Sequence, residues 1–468
     1  MKKKKLMLLL LALCLLLTGC AQEESHSTPT SIVVWHYYSG LQQEAFQAQV
    51  DAFNHTVGLQ ENIVVTAVSK SNIPKLYESV ADSFAGKVGA APLPDVFSAY
   101  SDGAWDYARD GKLADLSAYF TEDELKELNP SYLKEGQLSQ ASGLYIFPIQ
   151  KSSEALYLNW TAWEPFAAAC GVTTDDLATW EGVADVAAKY YKWSNGRHFF
   201  GRDAYANYLL VGSTELGEAM FQTNDGKAAF HLNREILRRM WDNFVVPYAK
   251  GYYDAAGRYR SDDMKTGELI AFVGATSSAG FAPTQVTAPD GTVTDIEVRV
   301  LEVPSFAGVE QRCAVQQGAG MVVVKSDETR ERAAATFLRY LTEPEANIAI
   351  ALKSGYMPVR TSAASSESIR AAMKKNNVSA GSSMGQTLLI CANTLTECHL
   401  VYTPPFENVY QARNAVEDSL LQNCADLRES FDAAVASGLS REEAAVQCLG
   451  DDAFDAWYTQ LSAALSEL

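Results

Sequence analysis

The sequence of 468 residues lacks an excess of basic residues. It holds 38 lysines and arginines against 57 acidic residues, which gives a formal net charge of −19. Binding to nucleic acid depends on a basic face that releases counterions from the phosphate backbone. The composition therefore argues against nucleic acid as a partner, and the negative charge is better suited to maintaining solubility.

Common catalytic motifs are also lacking. There is no G-x-S-x-G elbow after a predicted strand, no H-E-x-x-H, no phosphate-binding loop and no dinucleotide-binding glycine fingerprint. The acidic residues are numerous enough to supply a glycosidase pair, but no stretch marks such a pair. Among six histidines, only His36 is placed as a general base, with a polar strand-end residue as the alternative. We predict a protein that is not an enzyme and needs no cofactor; a surface-tethered hydrolase is the alternative class.

The chain contains eight cysteines. Cys14 lies in the apolar leader and Cys20 directly follows it, which leaves six others, at positions 170, 313, 391, 398, 424 and 448. A chain this long does not need disulfides to form a core. A disulfide between Cys391 and Cys398 or free buried thiols are the two interpretations. His399 has no second paired-ligand cluster in the sequence, so we predict no metal site.

The chain opens with lysines at positions 2–5, an apolar run and the tetrapeptide "LTGC" at residues 17–20. The run is shorter than the roughly 20 residues of a membrane-spanning helix and fits a secretory signal. "LTGC" resembles the lipobox of bacterial lipoproteins, which implies cleavage before Cys20 and lipidation of its thiol. An ordinary signal peptide is the alternative. We expect a lipoprotein signal peptide at 1–19 and a polar tether at 20–30.

Strands and helices alternate after the tether. "SIVVWHYYSG", "NIVVTAV" and "PDVFSAY" predict strands, and the segments between them have helical periodicity. This alternation favours a parallel sheet covered by helices. Gly58 is expected to end the first helix, and Thr342 to cap a helix with Pro344 in its first turn. Residues 191–260 carry no clear pattern, and the chain beyond residue 361 is predicted to be mainly helical.

Five stretches in order resemble the extracellular solute-binding proteins of ABC transporters, in the group that includes maltose-binding protein. The stretches are "IVVWHYYSG", "PDVFSAYSDGAWDYARDGKLADLSAYF", "GLYIFPIQKSSEALYLNW", "GELIAFVGATSSAG" and "GAGMVVVKSDETRERAAATFLRYLTEPEANIAIALKSGYMPVRTSA". The resemblance covers nearly the whole mature chain and implies a two-lobe α/β fold with a hinge and an interlobe cleft. It places residues 31–146 and 320–345 in lobe one, and 147–319 and 346–468 in lobe two.

The resemblance also implies which residues meet the ligand. Sugars present hydroxyl groups and weakly apolar ring faces, so their sites combine aromatic rings with short polar side chains. Loops at the carboxyl ends of parallel strands meet at a crevice and are expected to supply both. The expected ligand-binding residues are Tyr37, Tyr38, Ser39, Tyr100, Ser101, Asp102, Trp105, Lys151, Ser152, Glu154, Tyr205, Ser277, Ser278, Gln316, Gln317 and Tyr356.

Lys151 departs from the pattern of the family that the chain resembles, because many of its sugar-binding members have a neutral or acidic residue at this position. A lysine suggests an anionic solute such as a glycerophosphate, unless Glu154 neutralises it. We predict a lipid-anchored, monomeric binding protein on the outer side of the bacterial cytoplasmic membrane. It would capture an oligosaccharide and deliver it to an ABC permease that has a separate ATPase; an anionic solute in the same fold is the alternative ligand.

Overall fold

The computed structural model describes residues 28–138, 143–224 and 226–468. The predicted signal peptide, the anchor Cys20 and most of the predicted tether lie outside these residues. Within the described ranges, no helix combines the length and the apolar character that crossing a membrane requires.

Strands and helices alternate along the described chain. The strands are β1 (Thr30–His36), β2 (Ile63–Ser69), β3 (Val96–Ala99), β4 (Glu154–Asn159), β5 (Phe200–Arg202), β6 (Phe221–Asn224), β7 (Lys227–Phe230), β8 (Ala271–Ala275), β9 (Gln285–Thr287), β10 (Val293–Asp295), β11 (Val298–Leu301), β12 (Cys313–Val315), β13 (Gly320–Val323) and β14 (His399–Val401). The helices are α1 (Gly40–His55), α2 (Val57–Glu61), α3 (Ile73–Phe84), α4 (Ser101–Arg109), α5 (Glu122–Lys126), α6 (Pro130–Gly136), α7 (Trp160–Cys170), α8 (Trp180–Trp193), α9 (Tyr205–Glu215), α10 (Arg234–Ala249), α11 (Arg260–Thr266), α12 (Glu328–Leu341), α13 (Pro344–Ser354), α14 (Ser366–Lys375), α15 (Ser383–Glu397), α16 (Val409–Ala436), α17 (Arg441–Cys448) and α18 (Asp451–Ser466).

Lobe one contains a four-stranded sheet with the order β13-β3-β1-β2. Strand β1 pairs in parallel with both β2 and β3, as the strand–helix alternation predicts, and β13 returns antiparallel at the edge. The β-branched run of β1 buries Ile32 and Val34 completely. Helix α1 covers the sheet with Phe46, Val50 and Phe53, which lie on one helical face and are all buried. Burying both faces is characteristic of a mainly parallel sheet.

Lobe two contains a mixed sheet with the order β11-β4-β8-β5. Strand β4 is antiparallel to both neighbours, and only β5 and β8 pair in parallel among these strands. The long helix α16 packs against α9 and α10 and joins the C-terminal helices to this core. Trp241, Phe244, Phe431 and Trp457 lie in the same buried apolar cluster. The C-terminal helices therefore complete lobe two instead of forming a separate unit.

Three chain segments lie side by side where the lobes join. The Lys151 backbone N–H donates to the Met357 carbonyl at 3.1 Å. Ser152 and Gln317 exchange backbone hydrogen bonds of 2.9 and 2.8 Å. These short ladders hold the crossings together with few fixed bonds, which suits a hinge. The residue bounds of the two lobes remain a prediction.

Of the two interpretations for Cys391 and Cys398, the structure shows the free thiols and not the disulfide. Cys391 lies within α15, and Cys398 follows that helix directly as its C-cap residue. Seven residues of helix span about 10 Å at 1.5 Å per residue. A disulfide needs Cα atoms about 4.4–6.8 Å apart, so helical geometry separates the pair.

Candidate functional site

A cluster of tyrosines lies where the strands of lobe one end. Tyr37 follows β1 and Tyr100 follows β3, and these strands are parallel neighbours. Their ring centroids are 6.5 Å apart. The hydroxyl groups of Tyr37 and Tyr356 share a hydrogen bond of 2.9 Å, although 319 residues separate them in sequence. Burial raises the pKa of all three phenols, so the rings are neutral and act as apolar faces with a polar end.

The first of two cavities between the lobes has a volume of about 340 Å³. Lobe one contributes Tyr37, Ser39 and Gln42 to its wall, and lobe two contributes Asp203 and Ser278. Tyr259, Phe272 and Phe281 supply further aromatic surface from lobe two. This first cavity therefore combines ring faces with hydroxyl, amide and carboxylate groups from both lobes.

The second cavity has a volume of about 310 Å³ and shares Ile73 with the first. Its wall in lobe one includes Tyr100, Ser101, Asp102 and Glu135. The rest of its wall, from lobe two and from the hinge, includes Asn207, Gln316, Gln317, Tyr402, Tyr410 and Arg413. The two cavities are thus neighbours in one interlobe cleft.

Hydrogen bonds cross the cleft and hold the lobes close. Ser101 Oγ donates to the carbonyl oxygen of Thr403 at 2.8 Å. Gln42 Nε2 donates to the carbonyl oxygen of Ser277 at 2.8 Å. These bonds couple α1 and α4 of lobe one to loops of lobe two, so the structure represents a closed arrangement.

Several predicted ligand residues lie in the hinge, and the donor groups of Lys151 and Gln316 are already paired there. Lys151 Nζ donates to Glu135 Oε2 at 2.5 Å, and both side chains are at most 3% exposed. Gln316 Nε2 donates to the same carboxylate oxygen. Ser152 is buried and takes part through its backbone. The ammonium group of Lys151 is therefore neutralised by Glu135, and not by Glu154 as the sequence suggested.

Glu154 is paired within lobe two. Arg202 Nη2 donates to both of its carboxylate oxygens, at 3.1 and 2.9 Å. Asn207 Nδ2 donates to Glu154 Oε1 at 2.8 Å. Burying a carboxylate is costly unless partners of this kind surround it. Glu154 therefore anchors Arg202 and Asn207, and of these Asn207 lines the second cavity.

Some predicted residues are packed into cores and line neither cavity. Tyr205 is 4% exposed, with its ring 5.4 Å from that of Phe244. Trp105 belongs to the buried cluster beside β3. Tyr38 lies fully buried beneath Tyr37, with ring centroids 4.7 Å apart. Tyr38 therefore supports the tyrosine cluster from behind.

Several charged residues of the cleft were missed from the sequence, among them Asp203 and Arg413. Asp203 directly follows β5, just as Tyr37 and Tyr100 follow their strands. The sequence did not reveal β5, because this strand lies in residues 191–260, which carry no clear pattern. Burial raises its pKa to about 6. Arg413 projects from the first turns of α16, where no sequence signal marks a cleft residue. Burial also raises the pKa of Asp102, whose Oδ1 accepts a bond of 3.0 Å from the Tyr77 hydroxyl.

His36 is not positioned as a general base. It is 2% exposed, and its Nδ1 accepts a hydrogen bond from the Tyr38 backbone N–H at 3.2 Å. Burial lowers its pKa to about 4. The string G-x-S-x-G at 381–385 covers the N-cap and the first turn of α15, and it follows a helix and not a strand. Within the described part of the chain, no group of three or more histidine, cysteine or acidic side chains is arranged to hold a metal ion.

Solved structures with the same fold include several binding proteins. The cyclic α-maltosyl-1,6-maltose binding protein of Arthrobacter globiformis has a TM-score of 0.66 and 18% identity, covering 94% of this chain and 100% of its own. UgpB of Mycobacterium tuberculosis, in complex with glycerophosphocholine, has a TM-score of 0.68 and 17% identity, covering 94% of this chain and 99% of its own. An ABC substrate-binding protein of Listeria monocytogenes, in complex with cycloalternan, has a TM-score of 0.64 and 14% identity, covering 93% of this chain and 99% of its own. These similarities establish the two-lobe fold.

Comparison with curated protein sequences found no significant match. The family model described as bacterial extracellular solute-binding protein matches residues 48–376, which is more than two thirds of the chain. This match includes every strand of the two main sheets except β1, the three crossings and most of the cleft. The chain belongs to the family of bacterial extracellular solute-binding proteins.

Proposed function

We propose that this protein is the substrate-binding component of an ABC importer and that it captures a carbohydrate between its lobes. The observation that carries the proposal is the pair of adjacent interlobe cavities lined by tyrosine rings and short polar groups. Tyr37 and Tyr100 offer ring surface for a sugar face, and Asp102 and Asp203 offer carboxylate oxygens to its hydroxyl groups. The volumes of both cavities lie in the roughly 300–1,000 Å³ range of small-molecule sites.

Proteins with the same fold support a carbohydrate ligand. The Arthrobacter globiformis protein is a binding protein for a cyclic maltosyl-maltose, and the Listeria monocytogenes protein is in complex with cycloalternan. Both ligands are neutral oligosaccharides, which matches a cleft whose walls combine tyrosine rings with hydroxyl and amide groups. An oligosaccharide spanning the two adjacent cavities would use more of this surface than a single sugar unit.

A glycerophosphate is the second candidate ligand. Lys151 no longer favours it, because Glu135 neutralises that ammonium group. Arg413 favours it instead: its guanidinium lines the second cavity and donates to Asn207 Oδ1 at 2.6 Å. In the described structure, no carboxylate oxygen lies within 4.0 Å of that guanidinium. A guanidinium that has neutral partners but no paired carboxylate suits a phosphate, and the similar UgpB structure holds glycerophosphocholine.

The proposed mechanism is capture followed by delivery. Ligand binding favours the closed form only to the extent that the ligand contacts both lobes. The closed protein then docks on a permease whose ATPase is a separate chain. We further propose that the protein acts as a monomer without enzymatic activity, and that a lipid on Cys20 holds it at the outer side of the cytoplasmic membrane.

A thermal-shift screen of the mature chain tests the ligand class. Neutral oligosaccharides, uronic acids and glycerophosphodiesters are compared at equal concentration. A ligand that binds only the folded state raises the free energy of unfolding, by about 2.7 kcal/mol at a hundredfold excess over Kd, and the melting temperature rises with it. We expect the largest rise with a neutral oligosaccharide. A rise with glycerophosphodiesters alone would reverse the two candidates, and cleaved sugars in the same samples would indicate a hydrolase.

The anchor is tested separately in cells. Mass spectrometry of the membrane fraction is expected to find a lipid-modified N-terminal cysteine at position 20. Replacement of Cys20 by alanine is expected to move the protein out of the membrane fraction. An unmodified N-terminus beginning elsewhere would indicate an ordinary signal peptide.

A further inference from the structure

Lobe two carries a pocket on its outer face, remote from the cleft. It has a volume of about 580 Å³ and shares no lining residue with either cleft cavity. Lys192 lies at the end of α8, Lys250 directly follows α10, and Arg441 begins α17. Phe199, which precedes β5, pairs through its backbone N–H with the Tyr252 carbonyl at 2.8 Å. The pocket therefore lies near the start of β5, whereas Asp203, at the end of that strand, faces the cleft.

This outer pocket concentrates positive charge in a strongly acidic protein. Lys192, Lys250 and Arg441 all line it, in a chain whose net charge is −19. In the part of the chain that the structure describes, no carboxylate oxygen lies within 4.0 Å of the nitrogens of these side chains. Glu442, an exposed residue, is the acid in the pocket lining. The cations outnumber the acids here, which is the reverse of the protein as a whole.

Part of this charge has a structural explanation. The guanidinium of Arg441 donates to the carbonyl oxygen of Lys250 and lies 4.8 Å from the ring centroid of Tyr191. A cation at the C-terminal end of α10 also complements the helix dipole. Arg441 is therefore fixed in place by the protein itself and forms one rigid wall of the pocket.

The two lysines have no such partner. The ammonium groups of Lys192 and Lys250 donate no hydrogen bond to any residue that the structure describes. Lys250 is half-buried, and burial together with the nearby Arg441 lowers its pKa. Glu442 acts in the opposite direction and offsets these two effects only in part, so the pocket compensates the charge of Lys250 incompletely. An anion in the pocket would contact three cations, one of them already oriented.

We propose that the outer pocket of Lys192, Lys250 and Arg441 is a second binding site, which takes a phosphate or carboxylate group. Arg441 provides a planar donor edge, and the two ammonium groups provide mobile point charges around it. The same chemistry occurs in free anions and in acidic polymers outside the cell. The site is independent of the solute that the cleft binds.

Isothermal titration with inorganic phosphate tests the site at constant ionic strength. We expect saturable binding with a Kd in the millimolar range, which corresponds to about −4 kcal/mol. The double variant Lys192→Gln, Lys250→Gln is expected to weaken it at least tenfold. The matched control is Lys353→Gln, Lys374→Gln, which removes two exposed lysines elsewhere and is expected to bind phosphate normally. An equal loss in both double variants, or no saturable binding to the wild type, overturns the proposal.

Two further measurements separate this site from the cleft. Arg413→Gln removes the cleft guanidinium and is expected to leave phosphate binding unchanged; loss of binding there would assign the anion to the cleft and overturn the proposal. The Lys192, Lys250 double variant is expected to keep its response to the cleft ligand. Alginate, a polymeric carboxylate, is compared with the monomer glucuronate. Tighter binding of the polymer per carboxylate would identify an acidic polymer as the ligand of the outer pocket, and equal binding would identify a free anion.

Discussion

The hinge and the cleft lie side by side, yet they use polar residues in opposite ways. In the hinge, the side chains of Lys151 and Glu135 are at most 3% exposed and are bonded to each other. In the cleft, Ser39, Asp203 and Arg413 face the cavities with hydrogen-bonding capacity left over. Buried charges need partners within the protein, whereas groups in a cavity exchange water for ligand.

This difference identifies which polar residues are available to a solute. Lys151 and Ser152, on one crossing segment, are enclosed because the three segments pack against one another, whereas Gln316 and Gln317 of another crossing reach the wall of the second cavity. A polar residue that directly follows a strand lies at the edge of a sheet and faces the opposite lobe. Glu135 belongs to both regions, since it lines the second cavity and holds Lys151 and Gln316.

The largest expected effect comes from breaking the hinge pair. Lys151→Met leaves the Glu135 carboxylate buried without its cation, and we expect the free energy of unfolding to decrease by about 3–5 kcal/mol. Lys126→Met is the matched control, because Lys126 is 67% exposed and its ion pair is worth at most about 1 kcal/mol. Urea denaturation of both variants measures the difference.

The double variant Lys151→Met, Glu135→Leu sharpens this experiment. Replacing a buried ion pair by apolar residues is often neutral, so most of the lost stability is expected to return. If Lys151→Met costs no more than Lys126→Met, the hinge pair is as weak as a surface pair and the contrast between hinge and cleft fails.

Much of lobe one was predictable from the sequence. Apolar β-branched runs marked β1, β2 and β3, and apolar residues at steps of four and three marked α1, because both signals are local. Helix boundaries were less accurate. The first helix ends at His55, and Gly58, the predicted stop, lies buried within the short α2. The N-cap of α13 is Glu343, whereas Thr342, the predicted cap, ends the preceding helix.

The site was predictable only where it follows such local signals. Tyr37 and Tyr100 follow strands that the sequence marks clearly, and both line the cleft. Asp203 follows a strand of only three residues, too short for a periodicity. The pairing of Lys151 with Glu135 joins residues from different elements, and no pattern within one segment encodes it.

The next effect separates a cleft tyrosine from a core tyrosine. Tyr100→Ala removes ring surface from the second cavity, and we expect affinity for the best ligand of the screen to fall about thirtyfold, or about 2 kcal/mol. Tyr205→Phe is the control, because the Tyr205 hydroxyl is buried without a hydrogen-bond partner in the described structure. Titration calorimetry measures both, and a comparable loss with Tyr205→Phe would place the ligand elsewhere.

A smaller effect concerns the acid of the first cavity. Burial raises the pKa of Asp203 from 3.8 to about 6, so the folded protein keeps a proton that the unfolded chain loses. The free energy of unfolding therefore decreases as the pH rises from about 4 to about 6. Asp203→Asn lacks this decrease; the shift corresponds to about 3 kcal/mol, and because the side chain is 26% exposed we expect a gain over the wild type of about 1–2 kcal/mol between those limits.

Urea denaturation of both proteins at several pH values measures this gain. The amide keeps an oxygen that accepts the bond of 2.9 Å from the Arg260 backbone N–H, so the local structure is retained. A constant difference between the two proteins across the range would show that the Asp203 carboxylate is as well solvated as a surface acid.

The smallest effect concerns the bond that links the lobes directly. Ser101→Ala removes the donor to the Thr403 carbonyl, and one such bond is worth about 0.5–1.5 kcal/mol. Because only the closed form makes this bond, ligand affinity is expected to fall about two- to tenfold. Ser79→Ala is the control, since Ser79 bonds to Lys75 within α3, and it is expected to leave affinity unchanged. Equal affinities for both variants would mean that the ligand alone, and not the cross-lobe bond, stabilises closure.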